Sequence, residues 1–90
     1  MSQAETRAYA ETLQARASAL EARLHELAHL LATDRARLAD LAAMDHTEAR
    51  DRAARLQEQI AALETEQQET ARLAARLRQD AAELLAALVA

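Results

Sequence analysis

The sequence predicts an all-α fold, an antiparallel helical hairpin of coiled-coil type that dimerises into a four-helix bundle. The first observation is composition: the 90 residues include 26 alanines and 15 leucines but no glycine, proline, phenylalanine or tryptophan. Alanine, leucine, glutamate, glutamine and arginine favour helices, and the residues that favour strands are nearly absent. The second observation is a seven-residue repeat of apolar residues, and the third is a single break in that repeat.

The first half of the chain has leucine at heptad positions as far as Leu41, which predicts a helix over residues 4–42. Two leucine series run three residues out of phase, as the d and a positions of a coiled coil do. They are Leu13, Leu20 and Leu27 at d, and Leu24, Leu31 and Leu38 at a. Past Leu41 the frame fails, because its next core positions would include Asp45 and Glu48.

A second heptad frame begins at Ala49 and predicts a second helix over residues 46–88. Its core positions are Ala49, Leu56, Leu63, Leu77 and Leu84 at d, and Ala53, Ile60, Ala74, Ala81 and Leu88 at a. Gln67 and Thr70 are the only polar residues at core positions of this frame. Because 90 residues suffice for one small domain, residues 1–90 are expected to form a single helical domain.

The break between the frames predicts a turn over about residues 43–45. Asp45 and Glu48 have the spacing of a capping box, in which the first side chain accepts a hydrogen bond from a backbone amide and the second reaches back. Acids in the first turn also suit the helix dipole. Asp45 is therefore the predicted N-cap of the second helix.

The absence of glycine leaves a second architecture open. A hairpin requires Met44 or His46 to take an unfavourable backbone conformation, since no glycine is present to end the first helix. No proline stops that helix either. One long continuous helix in a coiled-coil dimer is therefore the alternative to the hairpin.

A hairpin built from these two frames has two possible registers. Folding about positions 43 and 44 opposes Leu31 to Leu56. Folding about position 47 instead sets Asp34 against Ile60. We expect the first register, because the second places an acid against an apolar core residue.

Four large apolar residues lie outside the a and d positions: Tyr9, Leu30 and Leu73 at g, and Leu85 at e. An apolar stripe that is wider than a/d is typical of a helix with more than one neighbour, as in a bundle. Burying these four side chains would contribute roughly 5 kcal/mol or more. They form the predicted partner face, and the predicted partner is a second copy of the chain, with another helical protein as the alternative.

His25, Glu26 and His29 belong to the string HELAH, which matches the zinc-peptidase pattern H-E-x-x-H. In that pattern the two histidines bind zinc and the glutamate is the general base. Here the histidines fall at the b and f positions, which face solvent, and no third ligand follows the string. They are the chain's metal candidates, but we expect no catalytic residue, no bound metal and no cofactor. A zinc-dependent hydrolase is the alternative.

Basic residues near the predicted turn do not indicate a nucleic-acid site. They are Arg35, Arg37, Arg50, Arg52 and Arg55. Five acids lie in the same stretch, so the net positive charge that counterion release requires is missing. The longest apolar run is also far shorter than the ~20 residues of a membrane span, and the first residues are polar. We expect neither nucleic acid nor a membrane as a partner, and a cytoplasmic location; a small nucleic-acid-associated regulator is the alternative.

The expected function is thus that of a non-enzymatic helical oligomerisation and protein-interaction module, a scaffold, adaptor or antagonist of a helical partner. All eleven basic residues are arginine, which indicates a GC-rich bacterial genome by codon usage. No motif assigns the chain to a family.

Overall fold

A computed structural model describes residues 2–90 and places two α-helices in them. Helix α1 spans Gln3–Ala42 and helix α2 spans Thr47–Val89, with residues 43–46 between them. No strand occurs in the described part of the chain. The helix bounds differ from the predicted ones by one residue or none. The all-α prediction is confirmed, and the chain has two helices rather than a continuous one.

Ser2 caps the N-terminus of α1. Its side-chain Oγ accepts a hydrogen bond from the backbone amide of Glu5 at 3.1 Å, and its carbonyl accepts one from the amide of Thr6 at 2.9 Å. The first amides of a helix have no partner within it, so a serine at this position satisfies one of them. Glu5 also places a negative charge in the first turn, where the helix dipole favours it.

Helix α1 ends without a left-handed residue. The amide of Ala43 donates to the carbonyl of Ala39 at 3.2 Å, and the amide of Met44 then donates to the carbonyl of Leu41 at 3.1 Å. The second bond joins residues three apart and tightens the last turn. No described residue has a positive φ angle. The expectation of an unfavourable conformation at Met44 or His46 is therefore wrong, because a tightened turn ends the helix instead.

His46, and not Asp45, is the N-cap of α2. Nδ1 of His46 accepts a hydrogen bond from the backbone amide of Ala49 at 3.2 Å, and its carbonyl accepts one from the amide of Arg50 at 3.2 Å. Asp45 Oδ1 instead accepts a hydrogen bond from the Arg50 side chain at 2.6 Å. Glu48 pairs with the arginine one turn further on. The predicted capping box is wrong, because arginines engage both of its carboxylates.

Replacing His46 by alanine is expected to destabilise the hairpin by about 1 kcal/mol, because the amide of Ala49 loses its acceptor. His46→Asn should retain most of that stability, since asparagine is a strong N-cap residue. Asp45→Ala is the matched control, because exposed ion pairs contribute roughly 0–1 kcal/mol. Urea unfolding followed by circular dichroism compares the three variants. A larger loss in Asp45→Ala than in His46→Ala would refute the cap assignment.

The chain forms two compact units, each with one segment from α1 and one from α2. The turn unit comprises His25–Gln68 and therefore joins the end of α1 to the start of α2. The terminal unit comprises the described residues up to Leu24 together with Glu69–Ala90, so it joins the start of α1 to the end of α2. Pairing of this kind is antiparallel, and the chain is a helical hairpin.

Bulky apolar side chains fill the turn unit. Its core cluster and the residues packed against that cluster are Leu31, Leu56, Ile60, Leu38, Leu41 and Leu63. Leu27 and Leu31 are the largest fully buried side chains among the described residues. Burial of a leucine contributes roughly 1.5–3 kcal/mol, so these layers supply much of the stability of the unit.

Alanine and leucine share the core of the terminal unit. The cluster and the leucines packed against it are Ala10, Leu13, Ala81, Leu77, Leu84 and Leu85. Ala17 and Ala74 are buried as well. Because the alanine side chain is a single methyl group, each alanine layer buries less apolar surface than a leucine layer of the turn unit.

Asp34 marks the register of the hairpin. It occupies a d position, is only 5% exposed, and accepts a hydrogen bond from the side-chain amide of Gln59 at 2.7 Å. This bond brings Asp34 to the level of Ile60, which is the register obtained by folding about position 47. In the terminal unit the cluster that joins Leu13 to Ala81 agrees with that register. The register expected from the sequence is therefore wrong, because it assumed that a buried carboxylate would lack a partner.

The predicted interaction core lies along the seam between the helices. Its buried members are Leu13, Leu27, Leu31, Leu56 and Ile60. Its half-buried members are Leu20, Leu24, Leu38, Leu63, Leu77, Leu84 and Leu88. None of these twelve residues is exposed, as the a and d positions of paired helices require.

Candidate interaction surface

The e positions of the two helices meet on one side of each unit, which we call the e flank. In the turn unit Nη2 of Arg35 lies 3.9 Å from Oε2 of Glu64. In the terminal unit Nη2 of Arg78 lies 2.5 Å from Oε1 of Glu21 and 2.9 Å from Oγ of Ser18. Polar contacts therefore join α1 to α2 across the e flank in each unit.

Arg78 makes the most extensive of these bridges. Its Nε and Nη2 donate to the two carboxylate oxygens of Glu21, the forked geometry that arginine and carboxylate favour. That hydrogen bonding raises the pKa of Arg78 above its usual value. Because both side chains are more than two fifths exposed, water screens the pair and its contribution to stability is small.

The g positions lie on the other side of each unit, which we call the g flank, and in the terminal unit this flank has two grooves. One groove, of about 390 Å³, is lined by Arg16, Ala19, Leu20, Leu73 and Leu77. The other, of about 330 Å³, we call the acidic groove; it is lined by Tyr9, Leu13, Asp80, Glu83, Leu84 and Ala87. Both grooves include leucines of the core, so apolar surface reaches solvent on this flank.

The g flank of the turn unit has a groove of about 480 Å³, which we call the basic groove. It is lined by Arg37, Leu41, Arg52, Arg55, Leu56 and Gln59. Arg52 pairs with Glu48 at 2.8 Å, and Nη1 of Arg37 lies 4.0 Å from Asp34. Neither of these acids lines the groove. Three arginines and two leucines thus line one groove, which could not be predicted from the sequence because the acids of the same stretch indicated a solvated, neutralised face.

Three of the four predicted partner-face residues are exposed at g positions. Tyr9 is 50% exposed, Leu30 is 41% exposed and Leu73 is 48% exposed. Leu85 differs from them, because it is half-buried and packs against the core cluster of the terminal unit. The prediction grouped e and g positions together, although a heptad wheel places them on opposite flanks. The structure therefore assigns Leu85 to the core.

The HELAH string lies on the surface of α1. His25, Glu26 and His29 are all exposed, as the b and f positions of the two histidines predict. Among residues 2–90, no group of three or more His, Cys, Asp or Glu side chains is arranged to hold a metal ion. The string supplies two exposed imidazoles one turn apart, outside the grooves described above.

Arginines near the turn alternate with acids, as the sequence indicates. The pairs within 4.0 Å are Arg35 with Glu64, Arg37 with Asp34, Arg50 with Asp45, and Arg52 with Glu48. All four of these arginines are more than half exposed. Most of the charge in this region is therefore paired within the chain.

Neither helix, over the residues that the structure describes, has a stretch both long and apolar enough to cross a bilayer. In comparisons with known proteins, no protein family, no curated protein and no solved structure matches this chain. Its function must therefore be inferred from the two flanks and their grooves.

Proposed function

We propose that this chain is a non-enzymatic helical interaction module that pairs with a second copy of itself through the g flanks to form a four-helix bundle. The observation that carries the proposal is the exposure of Tyr9 and Leu73 beside grooves that reach the core leucines. Polar contacts join α1 to α2 on the e flank of each unit, and on the g flank of the turn unit the side-chain amide of Gln59 donates to Asp34. A further pair of helices on the g flank would bury these side chains, as in a bundle.

A second copy is the partner that the composition favours. A chain of 90 residues buries a smaller fraction of its surface than a larger domain does, and the alanine layers of the terminal unit reduce its core further. A two-fold contact uses the same apolar patch on both copies, so the exposed side chains cover one another. Presented to a different helical protein, the same flank would serve a scaffold, adaptor or antagonist.

Replacing Tyr9 and Leu73 together by serine is expected to weaken self-association roughly 1,000-fold. Each half-exposed side chain contributes about 1 kcal/mol on burial, and a two-fold dimer contains each twice, which gives about 4 kcal/mol in all. Sedimentation equilibrium measures the dissociation constant, and circular dichroism checks that the variant is as helical as the unaltered chain.

Met44→Ser is the matched control for this variant. Met44 is 47% exposed, close to Leu73, but it lies in the turn rather than on a flank. We expect its dissociation constant to stay within about threefold of the original, since surface changes away from a contact have small effects. Equal weakening by Met44→Ser and by the flank variant would count against the g flank as the contact.

A further inference from the structure

The two grooves on the g flank of the terminal unit carry opposite charge. In the groove of about 390 Å³, which we call the arginine groove, Arg16 is charged and the other lining residues are alanine and leucine. The acidic groove contains Asp80 and Glu83 beside the ring of Tyr9. All four of these side chains are exposed. The terminal unit alone therefore presents a basic patch and an acidic patch on one apolar flank.

The charges of both grooves are available to a partner. Over residues 2–90, no ion pair includes Arg16, Asp80 or Glu83. Glu83 accepts a hydrogen bond from the side-chain amide of Gln79 at 3.2 Å, and because that donor is neutral the carboxylate keeps its charge. A surface that offers an acid to the arginine groove and a guanidinium to the acidic groove is therefore the electrostatic complement of this flank.

The spacing of the two grooves gives the flank that complement in a second copy of itself. Tyr9 of the acidic groove and Arg16 of the arginine groove are seven residues apart on α1, and Leu73 and Asp80 are seven residues apart on α2. Seven residues of α-helix span ~10 Å, so the grooves lie at two levels of the unit about that far apart. A two-fold axis midway between these levels places each groove of one copy against the other groove of the second copy.

We infer that the terminal units of two copies dock antiparallel, with the arginine groove of each against the acidic groove of the other; this rests on the proposed self-association. Arg16 then meets Asp80 and Glu83 of the second copy. The ring of Tyr9 lies beside the guanidinium group of Arg16 and the side chain of Leu73 in the second copy, which combines a cation–π contact with apolar burial. A parallel pair would set arginine against arginine and acids against acids, which is unfavourable.

Charge reversal tests this orientation. The first variant is Arg16→Glu and the second is Asp80→Arg with Glu83→Arg, and circular dichroism checks that each is as helical as the unaltered chain. Alone, each variant sets like charges together at both contacts of an antiparallel dimer, so its dissociation constant at low salt should rise at least about tenfold. Mixed in equal amounts, the two variants restore both contacts, and the mixed dimer should form within about threefold of the unaltered affinity.

Arg7→Glu is the matched control for Arg16→Glu. Arg7 is exposed at an e position of the same unit, so its reversal makes the same change in net charge away from the g flank. We expect its dissociation constant to stay within about threefold of the original. Equal weakening by Arg7→Glu and Arg16→Glu would show that net charge is responsible, and would overturn the groove contact.

Cysteine cross-linking detects the orientation directly, because the chain contains no cysteine of its own. Ala19 lines the arginine groove and Ala87 lines the acidic groove, and both are exposed. A short bismaleimide added to a mixture of Ala19→Cys and Ala87→Cys chains should join mainly one variant to the other. A parallel pair would give mainly cross-links between identical chains, and mass spectrometry distinguishes the two products.

The other outcomes separate the orientation from the self-association. Reversed variants that dimerise as tightly as the unaltered chain, or cross-links mainly between identical chains, overturn the antiparallel orientation while self-association stands. A mixture of the two reversed variants that fails to regain affinity overturns it too. An unaltered chain that stays monomeric up to about 1 mM overturns the proposed self-association and the orientation with it.

Discussion

Replacing Leu31 by alanine is expected to lower the free energy of unfolding by about 3 kcal/mol. Leu31 is 1% exposed and belongs to the core cluster of the turn unit with Leu56 and Ile60. Truncation removes the transfer free energy of the lost methyl and methylene groups and leaves a cavity, and the two effects together cost roughly 2–5 kcal/mol. Since small domains are stable by about 5–15 kcal/mol, the variant should unfold at much lower urea concentration.

Leu30→Ala is the matched control, because it makes the same chemical change one residue earlier in the same helix. Leu30 is exposed at a g position and belongs to neither core cluster. We expect a loss of less than about 1 kcal/mol, measured for both variants at one low protein concentration because association adds to apparent stability. Equal losses at the two positions would show that the seam of the hairpin is placed wrongly.

Replacing Gln59 by leucine is expected to cost about 2 kcal/mol although Gln59 is exposed. Its side-chain amide donates to the buried carboxylate of Asp34, and no buried side-chain nitrogen or oxygen in the described part of the chain lacks such a partner. Without the amide, Asp34 would keep only the distant guanidinium of Arg37. A buried charge that loses its hydrogen-bond donor bears the desolvation cost uncompensated.

The double variant Asp34→Leu with Gln59→Leu completes the cycle. It removes the carboxylate together with its donor and leaves leucine beside Ile60, so we expect stability equal to or above that of the unaltered chain. Urea unfolding of the two single variants and the double variant gives the coupling free energy. A coupling near zero would mean that the 2.7 Å bond between Asp34 and Gln59 contributes nothing in solution.

The helices were predictable because their signals are local. Heptad leucines and the break between the two heptad frames predict both helices to within one residue of α1 and α2. Burial follows the a and d positions, so every predicted core residue is buried or half-buried. The exposure of Tyr9, Leu30 and Leu73 follows from their g positions in the same heptad frames.

The register could not be predicted, because it depends on a contact between residues 25 apart in sequence. Burial of Asp34 is unfavourable only if no hydrogen-bond donor reaches its carboxylate. Gln59 reaches it only in the register obtained by folding about position 47, and the prediction rejected that register because it buries Asp34. The half-burial of Leu85 could not be predicted either. Its half-burial depends on packing against the alanine-rich core of the terminal unit, which the heptad letter e does not reveal.

The cap of α2 was missed for a different reason. Asp45 and His46 are adjacent, and both can accept a hydrogen bond from a backbone amide. The choice between them depends on Arg50, whose side chain engages Asp45 and leaves the imidazole to the amide of Ala49. The capping rule considers the spacing of the residues and the preference for aspartate at the N-cap. It does not consider a side chain such as that of Arg50, which engages Asp45 instead of the backbone amide.

The two flanks of each unit differ in the side chains that they expose. Polar bridges across the e flank join α1 to α2 and include charged groups that prefer contact with water. On the g flank of the terminal unit, Tyr9 and Leu73 are about half exposed beside grooves that include core leucines.

Whether the hairpin works as one half of a four-helix bundle is decided most directly by its mass in solution. Light scattering on the unaltered chain, from about 1 μM to about 1 mM, covers the range of weak to moderate dimers. We expect the mass to rise to about 20 kDa, twice the 9.9 kDa of one chain, with helicity retained. A mass that stays at 9.9 kDa over the whole range, from a fully helical chain, would contradict the bundle.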